Sequence, residues 1–118
     1  MSAIENAGYA DKKKFSLIEP AVGYLNEHLY DCTLKTDTLP CLCGISGTYF
    51  RKIFVSRFGT TPQNYIMHRR LSHAKSVIDS GDFDTIREVA LSVGYTDPLY
   101  FGKVYKKFFG TSPSEANK

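Results

Sequence analysis

The chain contains one short motif twice. The first copy occupies residues 44–54 (GISGTYFRKIF) and the second occupies residues 94–105 (GYTDPLYFGKVY). The offset is 50 residues at the first glycine and 51 at the Tyr-Phe pair, so the second copy has one additional residue where a turn is expected. In each copy an apolar helical stretch precedes a glycine, a Ser or Thr, and a second helical stretch that is basic on one side. This pattern is typical of a helix-turn-helix, and its repetition predicts two such units.

The repeat predicts an all-α fold in which two helix-turn-helix lobes are joined by a long central helix, with about seven helices. We expect a flexible tail or linker over residues 1–14 and a double helix-turn-helix domain over residues 15–118. Within that domain, lobe one is expected at about 16–60, the connecting helix at about 62–80 and lobe two at about 84–118. The connecting helix would be about 27 Å long. This length is comparable to the roughly 34 Å turn of B-DNA, which would allow the two lobes to contact successive turns. The content of 42% hydrophobic and 14% aromatic residues is sufficient for a globular core.

Capping signals mark most of the helix starts. Ser16 and Glu19 have the spacing of a capping box, which predicts a helix over about 17–30 with a proline in its first turn. Thr85 and Glu88 have the same spacing before the first helix of the second unit. Three further hydroxyl residues are placed as helix caps, namely Ser46, Thr61 and Ser112.

The first helix of the first unit is the irregular one. It is predicted over residues 36–43 with Thr36 as its N-cap, and Pro40 then falls near its start, where the missing N–H removes one hydrogen bond. We therefore expect a short or distorted helix. Gly44 is expected to supply the left-handed turn residue that follows.

The second helix of each unit has an apolar face and a basic face. The helical spacing predicts burial of Phe50, Ile53, Phe54 and Phe58 in the first unit, and of Phe101, Val104, Tyr105, Phe108 and Phe109 in the second. The opposite, exposed faces carry Thr48, Arg51, Lys52 and Val55 in the first unit, and Leu99, Gly102 and Lys103 in the second. A solvated charged face is common on any single helix, but two matched copies favour a shared function.

These exposed faces predict duplex DNA binding, because an α-helix fits the major groove and Arg or Lys pairs with guanine there. The seven exposed residues are the predicted base contacts, with Arg51, Lys52 and Lys103 the strongest candidates. Phosphate contacts are predicted at the helix ends, at Thr36, Arg57, Thr85, Lys106 and Lys107. Arg70 in the connecting helix is interpreted as structural, joining the lobes through carboxylates.

The chain resembles the AraC/XylS-type DNA-binding domain from about Ser16 to its end. The residues that carry the resemblance are Gly44-Ile45-Ser46, Tyr49-Phe50, Phe54, Phe58-Gly59, Pro62, Tyr65, Arg70, Ala74, Ile86, Val89-Ala90, Gly94-Tyr95, Asp97-Pro98, Tyr100-Phe101, Lys106-Lys107, Gly110 and Pro113. The resemblance implies seven helices and a monomer that contacts two adjacent major-groove segments of a promoter. Relatives often carry a polar side chain at the position of Gly102, so we expect the first lobe to carry more of the base specificity.

The resemblance also implies a separate ligand-binding or dimerisation region in most members, for which 118 residues leave no room. We therefore expect the chain to be the C-terminal domain of a longer bacterial regulator that contacts RNA polymerase, and the domain itself to be monomeric. No cofactor is expected.

The sequence also indicates where the protein acts. It has no apolar run near the roughly 18 residues of a membrane span, and its number of cysteines is odd, so the expected location is the cytoplasm. The net charge of +3 is too small to indicate a partner by itself.

Other functions remain open at this point. An enzyme is disfavoured because His28, His68 and His73 lie outside any pattern of nucleophile, base and acid. A small metal site would use His28 with the cysteines, but the spacing does not match the usual zinc motifs. A helical protein-interaction module is the other alternative, and weak salt dependence of DNA binding would favour it. RNA binding is disfavoured because the aromatic residues fall on the predicted core faces.

Overall fold

The computed structural model describes residues 12–116, and all regular structure in that range is helical. The α-helices are α1 (12–17), α2 (Glu19–Glu27), α3 (Leu39–Cys43), α4 (Gly47–Phe58), α5 (Pro62–Ser80), α6 (Ile86–Ser92), α7 (Pro98–Phe109) and α8 (Pro113–Ala116). The all-α prediction is confirmed. The helix beyond the expected seven is α1, which includes residues 12–14 of the predicted tail. The rest of that tail, residues 1–11, lies outside the described residues.

The chain divides into two compact units. The first contains the described residues up to His28 together with Lys35–Tyr65, and the second contains Leu29–Leu34 and the residues from Ile66 onward. Each unit contains one helix-turn-helix, formed by α3 and α4 in the first and by α6 and α7 in the second. This arrangement confirms the fold predicted from the repeat. Helix α5 begins in the first unit and continues through the second.

The core of the first unit is built from apolar faces of α2, α3 and α4. Helix α3 packs against both α2 and α4. Phe54 is fully buried, and its ring lies 4.5 Å from the ring of Phe58 and 5.5 Å from the ring of Tyr65, centroid to centroid. The other buried apolar residues of this unit are Ile18, Ala21, Val22, Leu25, Leu39, Phe50 and Ile53. Three of the four residues in the predicted buried face of α4 are therefore buried, and Phe58 is half-buried.

The start of α2 differs from the prediction. The predicted capping box of Ser16 and Glu19 is wrong, because the N-cap is Ile18 and no side chain caps this helix. The Ser16 hydroxyl instead donates a hydrogen bond to the Lys13 carbonyl, within α1. The Glu19 carboxylate forms an ion pair with Arg57 of α4. The acidic side chain thus joins two helices of the first unit.

The segment before the first turn is distorted, as expected. A 3-10 turn over Thr36–Thr38 leads into α3, which has only five residues and carries Pro40 in its first turn. The predicted capping role of Thr36 is wrong, since neither segment has a side-chain cap. The Thr36 hydroxyl accepts a hydrogen bond of 3.2 Å from the Gln63 amide instead. Gly44 ends α3 with a φ of 65°, the left-handed conformation that glycine adopts without strain.

The core of the second unit is one continuous cluster. Its fully buried members are Leu71, Ala74, Ile78, Val89, Ala90, Val93, Phe101 and Tyr105. Helix α7 packs against α6 and α8 and contributes Phe101 and Tyr105, with Val104 and Phe109 half-buried beside them. Phe108 was predicted to be buried and is exposed. It lies at the edge of the cluster, where its ring packs edge-on against His68 at 4.4 Å between centroids.

Arg70 has the structural role that was predicted, but its partners are backbone carbonyls. Its Nε donates to the Leu29 carbonyl at 2.7 Å, and a terminal nitrogen donates to the Asp31 carbonyl at 2.8 Å. Both acceptors belong to the Leu29–Leu34 segment of the second unit, which also contains Arg70. The prediction that Arg70 joins the two lobes through carboxylates is therefore corrected, because these hydrogen bonds go to backbone carbonyls within one unit. Burial lowers the pKa of the Arg70 guanidinium from its ordinary value, and the neighbouring Tyr95 partly opposes this shift.

Candidate nucleic-acid interface

Helix α4 begins with a well-formed cap. The Ser46 hydroxyl accepts a hydrogen bond of 3.1 Å from the Tyr49 N–H, which confirms the predicted capping role. The rotation of the helix is fixed by Phe50, Ile53 and Phe54, which pack into the core on one side. The four predicted base-contacting residues, Thr48, Arg51, Lys52 and Val55, are all exposed.

Two of the three basic residues of α4, Arg51 and Lys52, are available for a ligand. In the part of the chain that the structure describes, neither Arg51 nor Lys52 has a hydrogen-bond or ion-pair partner. Helix α4 contains no acidic residue. Since unpaired surface cations attract polyanions, this face has a positive potential that no neighbouring carboxylate on its own helix reduces.

A groove beside Lys52 reveals one residue that sequence reasoning missed. This groove, about 350 Å³ in volume, is lined by Lys14, Phe15, Tyr49, Lys52, Ile53 and Ser56. Lys14 belongs to the run Lys12-Lys13-Lys14, which lies in the segment predicted to be a flexible tail. These three consecutive lysines are the sequence signal that could have pointed to Lys14. Only the packing of α1 in the first unit places one of its lysines beside α4.

Helix α7 is the counterpart in the second unit. Its N-cap is Asp97, whose carboxylate accepts hydrogen bonds from the Leu99 and Tyr100 N–H groups at 3.0 and 3.4 Å. Sequence reasoning looked for a Ser or Thr here and missed this cap, although Asp before Pro is a helix-start signal. The predicted base-contacting residues differ in exposure: Leu99 and Lys103 are exposed, and Gly102 is half-buried.

The end of α7 is strongly basic. Lys106 and Lys107 are exposed in its last turn, and no acidic residue occurs in the helix. The side chains of these two lysines and of Lys103 have no hydrogen-bond or ion-pair partner among residues 12–116. Three unpaired lysines on one helix form a surface suited to phosphate oxygens.

The remaining predicted phosphate contacts are partly engaged within the protein. Arg57 forms the ion pair with Glu19, and its guanidinium lies 5.0 Å from the centre of the Phe58 ring. The Thr85 hydroxyl accepts the Glu88 N–H at 3.1 Å, which confirms the predicted cap of α6. Contact of Arg57, Thr36 and Thr85 with phosphate stays a prediction.

The candidate metal ligands do not come together. Within the described range, no three His, Cys, Asp or Glu residues are grouped so that they could hold a metal ion. Cys32 and Cys41 are exposed, and Cys43 is half-buried. The rings of His28 and His73 pack against Tyr24 and Tyr30, with centroids 4.2 and 4.8 Å apart. The structure thus does not bring the residues of the alternative metal site together.

A family model described as a helix-turn-helix domain matches residues 42–118. The fold is shared with a transcriptional regulator from Chromobacterium violaceum that contains an AraC-type DNA-binding domain, at a TM-score of 0.68 and 22% identity over 86% of this chain and 89% of that one. The chain belongs to the AraC-type helix-turn-helix family. The match of the family model covers the whole repeat, from the first turn to the end of the second unit.

Among the AraC-type relatives, the MmsAB operon regulatory protein of Pseudomonas aeruginosa is 32% identical over 91 residues. That alignment covers 77% of this chain and 29% of the relative, so the chain spans less than a third of that regulator's length. The DNA-binding domain of the global transcriptional factor AdpA has the same fold, with a TM-score of 0.73 and 24% identity over 82% of this chain and 86% of that one. The AdpA domain was solved in complex with a target DNA.

None of the helices within residues 12–116 combines the length and the apolar character needed to cross a lipid bilayer.

Proposed function

We propose that this AraC-type domain binds duplex promoter DNA sequence-specifically, with α4 and α7 in adjacent segments of the major groove. The observation that carries the proposal is the pair of matched helices, one in each compact unit, each capped at its start, free of acidic residues and basic on its exposed face. An α-helix fits the major groove, and an unpaired Arg or Lys on it can reach guanine O6 and N7.

The residues take different roles in this proposal. Thr48, Arg51, Lys52 and Val55 on α4, and Leu99, Gly102 and Lys103 on α7, face the bases. Thr36, Arg57, Thr85, Lys106 and Lys107 contact phosphates, which positions the domain without reading sequence. For Arg57 this contact competes with the ion pair to Glu19.

The proposal extends to the activity of the protein as a whole. Its relatives include the MmsAB operon regulatory protein and the transcriptional activator RhrA of Rhizobium meliloti, which are named as regulators and not as enzymes. We infer a non-enzymatic bacterial transcription regulator that acts in the cytoplasm, where the chromosome is, and that contacts RNA polymerase at the promoter. The isolated domain binds as a monomer, because it supplies both recognition helices itself.

The test is a selection of bound duplexes from a random DNA pool by the purified chain. The proposal predicts an enriched motif with two elements separated by about 10 base pairs, one helical turn. Arg51→Ala is expected to relax the base preference at one or two positions and to cost about 1–3 kcal/mol there. Lys107→Ala is expected to weaken all duplexes about equally.

The control is Lys75→Ala, which removes an equal charge from α5 at a lysine whose side chain is already paired with Asp79 at 2.6 Å. This variant should bind like the wild type. Failure to enrich any motif, or an equal loss of binding in all three variants, would contradict the proposal.

A further inference from the structure

Leu99 is the most exposed large apolar residue in the described part of the chain. Its exposed fraction is 79%, compared with 55% for the next residue, Tyr100. It lies in the first turn of α7, on the same exposed stripe as Lys103 and Lys106. A leucine left in water on a surface that otherwise attracts DNA is well placed to be buried by a bound ligand.

Gly102, one helical turn after Leu99, leaves a gap beside that leucine. A Cβ atom added at Gly102 would meet no other atom within 4 Å. Leu99, Gly102, Lys103 and Lys106 line one side of an open depression of about 420 Å³, which Pro98 and Pro113 border. The depression is thus apolar at the N-terminal end of α7 and cationic toward its C-terminal end.

The bases differ in what they present to such a surface. Neither Leu99 nor Gly102 has a side chain that can exchange hydrogen bonds with a base edge. Thymine is the base with an apolar group in the major groove, the 5-methyl group. The absence of a side chain at Gly102 lets the α7 backbone approach the base edges closely. Lys106 supplies charge that holds the helix against the phosphates.

We infer that α7 selects thymine by apolar contact between the Leu99 side chain and thymine 5-methyl groups. This inference rests on the proposed DNA binding and adds the type of base that the second unit reads. It also changes the expectation that the first unit carries more of the base specificity because Gly102 lacks a polar side chain. The second unit reads thymine methyl groups through Leu99, in addition to the base edge that Lys103 faces.

The test uses a duplex selected from the random pool, in which each thymine is replaced in turn by deoxyuridine. Deoxyuridine lacks only the methyl group and keeps all hydrogen-bonding atoms of the base edge. Dissociation constants are measured by fluorescence anisotropy for the wild type, Leu99→Ala and Leu91→Ala. Leu91 is the matched control, because it is an exposed leucine on α6, with an exposed fraction of 48%.

For the wild type and Leu91→Ala, we expect about a fourfold loss of affinity at one or two thymines, as for the burial of one methyl-sized group. For Leu99→Ala, the same replacements should have almost no effect, and circular dichroism should show an unchanged fold. Equal losses in all three proteins, or no loss at any thymine in the wild type, would overturn the inference while leaving DNA binding in place. If no duplex is selected at all, the proposed function itself fails.

Discussion

Among the described glycines, Gly94 has the least room for a side chain. Its φ is 100°, and a Cβ atom added there would lie 2.8 Å from Cζ of Arg70. The guanidinium is held against Gly94 by its two hydrogen bonds to the Leu29 and Asp31 carbonyls. The glycine is therefore required both by the backbone conformation and by the space that the arginine occupies.

Gly94→Ala is expected to lower the free energy of unfolding by about 2–4 kcal/mol, through left-handed strain and displacement of Arg70. Urea denaturation followed by circular dichroism measures this change. Gly81→Ala is the control, because Gly81 also has a positive φ, of 74°, but a Cβ there meets nothing within 4 Å. It should cost only the backbone strain, about 1–2 kcal/mol. Equal effects of the two substitutions would contradict the role assigned to Arg70.

The structural role of Arg70 could be predicted from the sequence, but its partners could not. The two carbonyls belong to residues that precede Arg70 by 41 and 39 positions. Helical periodicity predicts which face of one helix is buried, and it contains no information about which distant backbone groups lie above that face. The carboxylate partners were expected because oppositely charged residues can be recognised in a sequence, whereas backbone carbonyls that lack a partner in a helix cannot.

At the scale of the helices, Gly102 is an unusual residue for the middle of α7. Glycine is less favourable than alanine in a helix interior by about 1 kcal/mol, and the space around its Cα is open. Gly102→Ala is therefore expected to raise the free energy of unfolding by about 0.5–1 kcal/mol, as measured by urea denaturation. Gly23→Ala in α2 is the matched control, since a Cβ at Gly23 also meets nothing within 4 Å. A destabilised Gly102→Ala variant beside a stabilised Gly23→Ala variant would contradict this description of α7.

Helix starts and faces were largely predictable because their signals are local. The caps at Ser46, Thr61 and Thr85 join a hydroxyl to an N–H three residues later, and the structure contains all three. The box at Ser16 failed because α1 precedes α2, so that the Ser16 hydroxyl has a carbonyl of α1 within reach. The predicted burial of Phe108 was wrong because a helical wheel gives the direction of a side chain. It does not show how far the helices packed against α7 extend over that side chain.

At the scale of the whole molecule, the duplicated motif was sufficient to predict two helix-turn-helix pairs, since each copy forms one. The basic faces of α4 and α7 were also predictable, because exposure follows from helical spacing. The position of Lys14 beside Lys52 was not, because it depends on how α1 packs in the first unit. In the proposed function, both units contact DNA.

The most direct test of that claim is a salt titration of a labelled duplex, followed by fluorescence anisotropy, with one double variant for each unit. The variants are Arg51→Ala with Lys52→Ala, and Lys106→Ala with Lys107→Ala. The wild type should bind mixed-sequence DNA with a Kd of about 10⁻⁴–10⁻⁶ M and a steep negative slope of log affinity against log salt. Both variants should bind more weakly, and loss of the two α7 lysines should reduce the slope by about 1.8. A flat salt dependence in the wild type, or weaker binding in only one of the two double variants, would contradict DNA contact by both units.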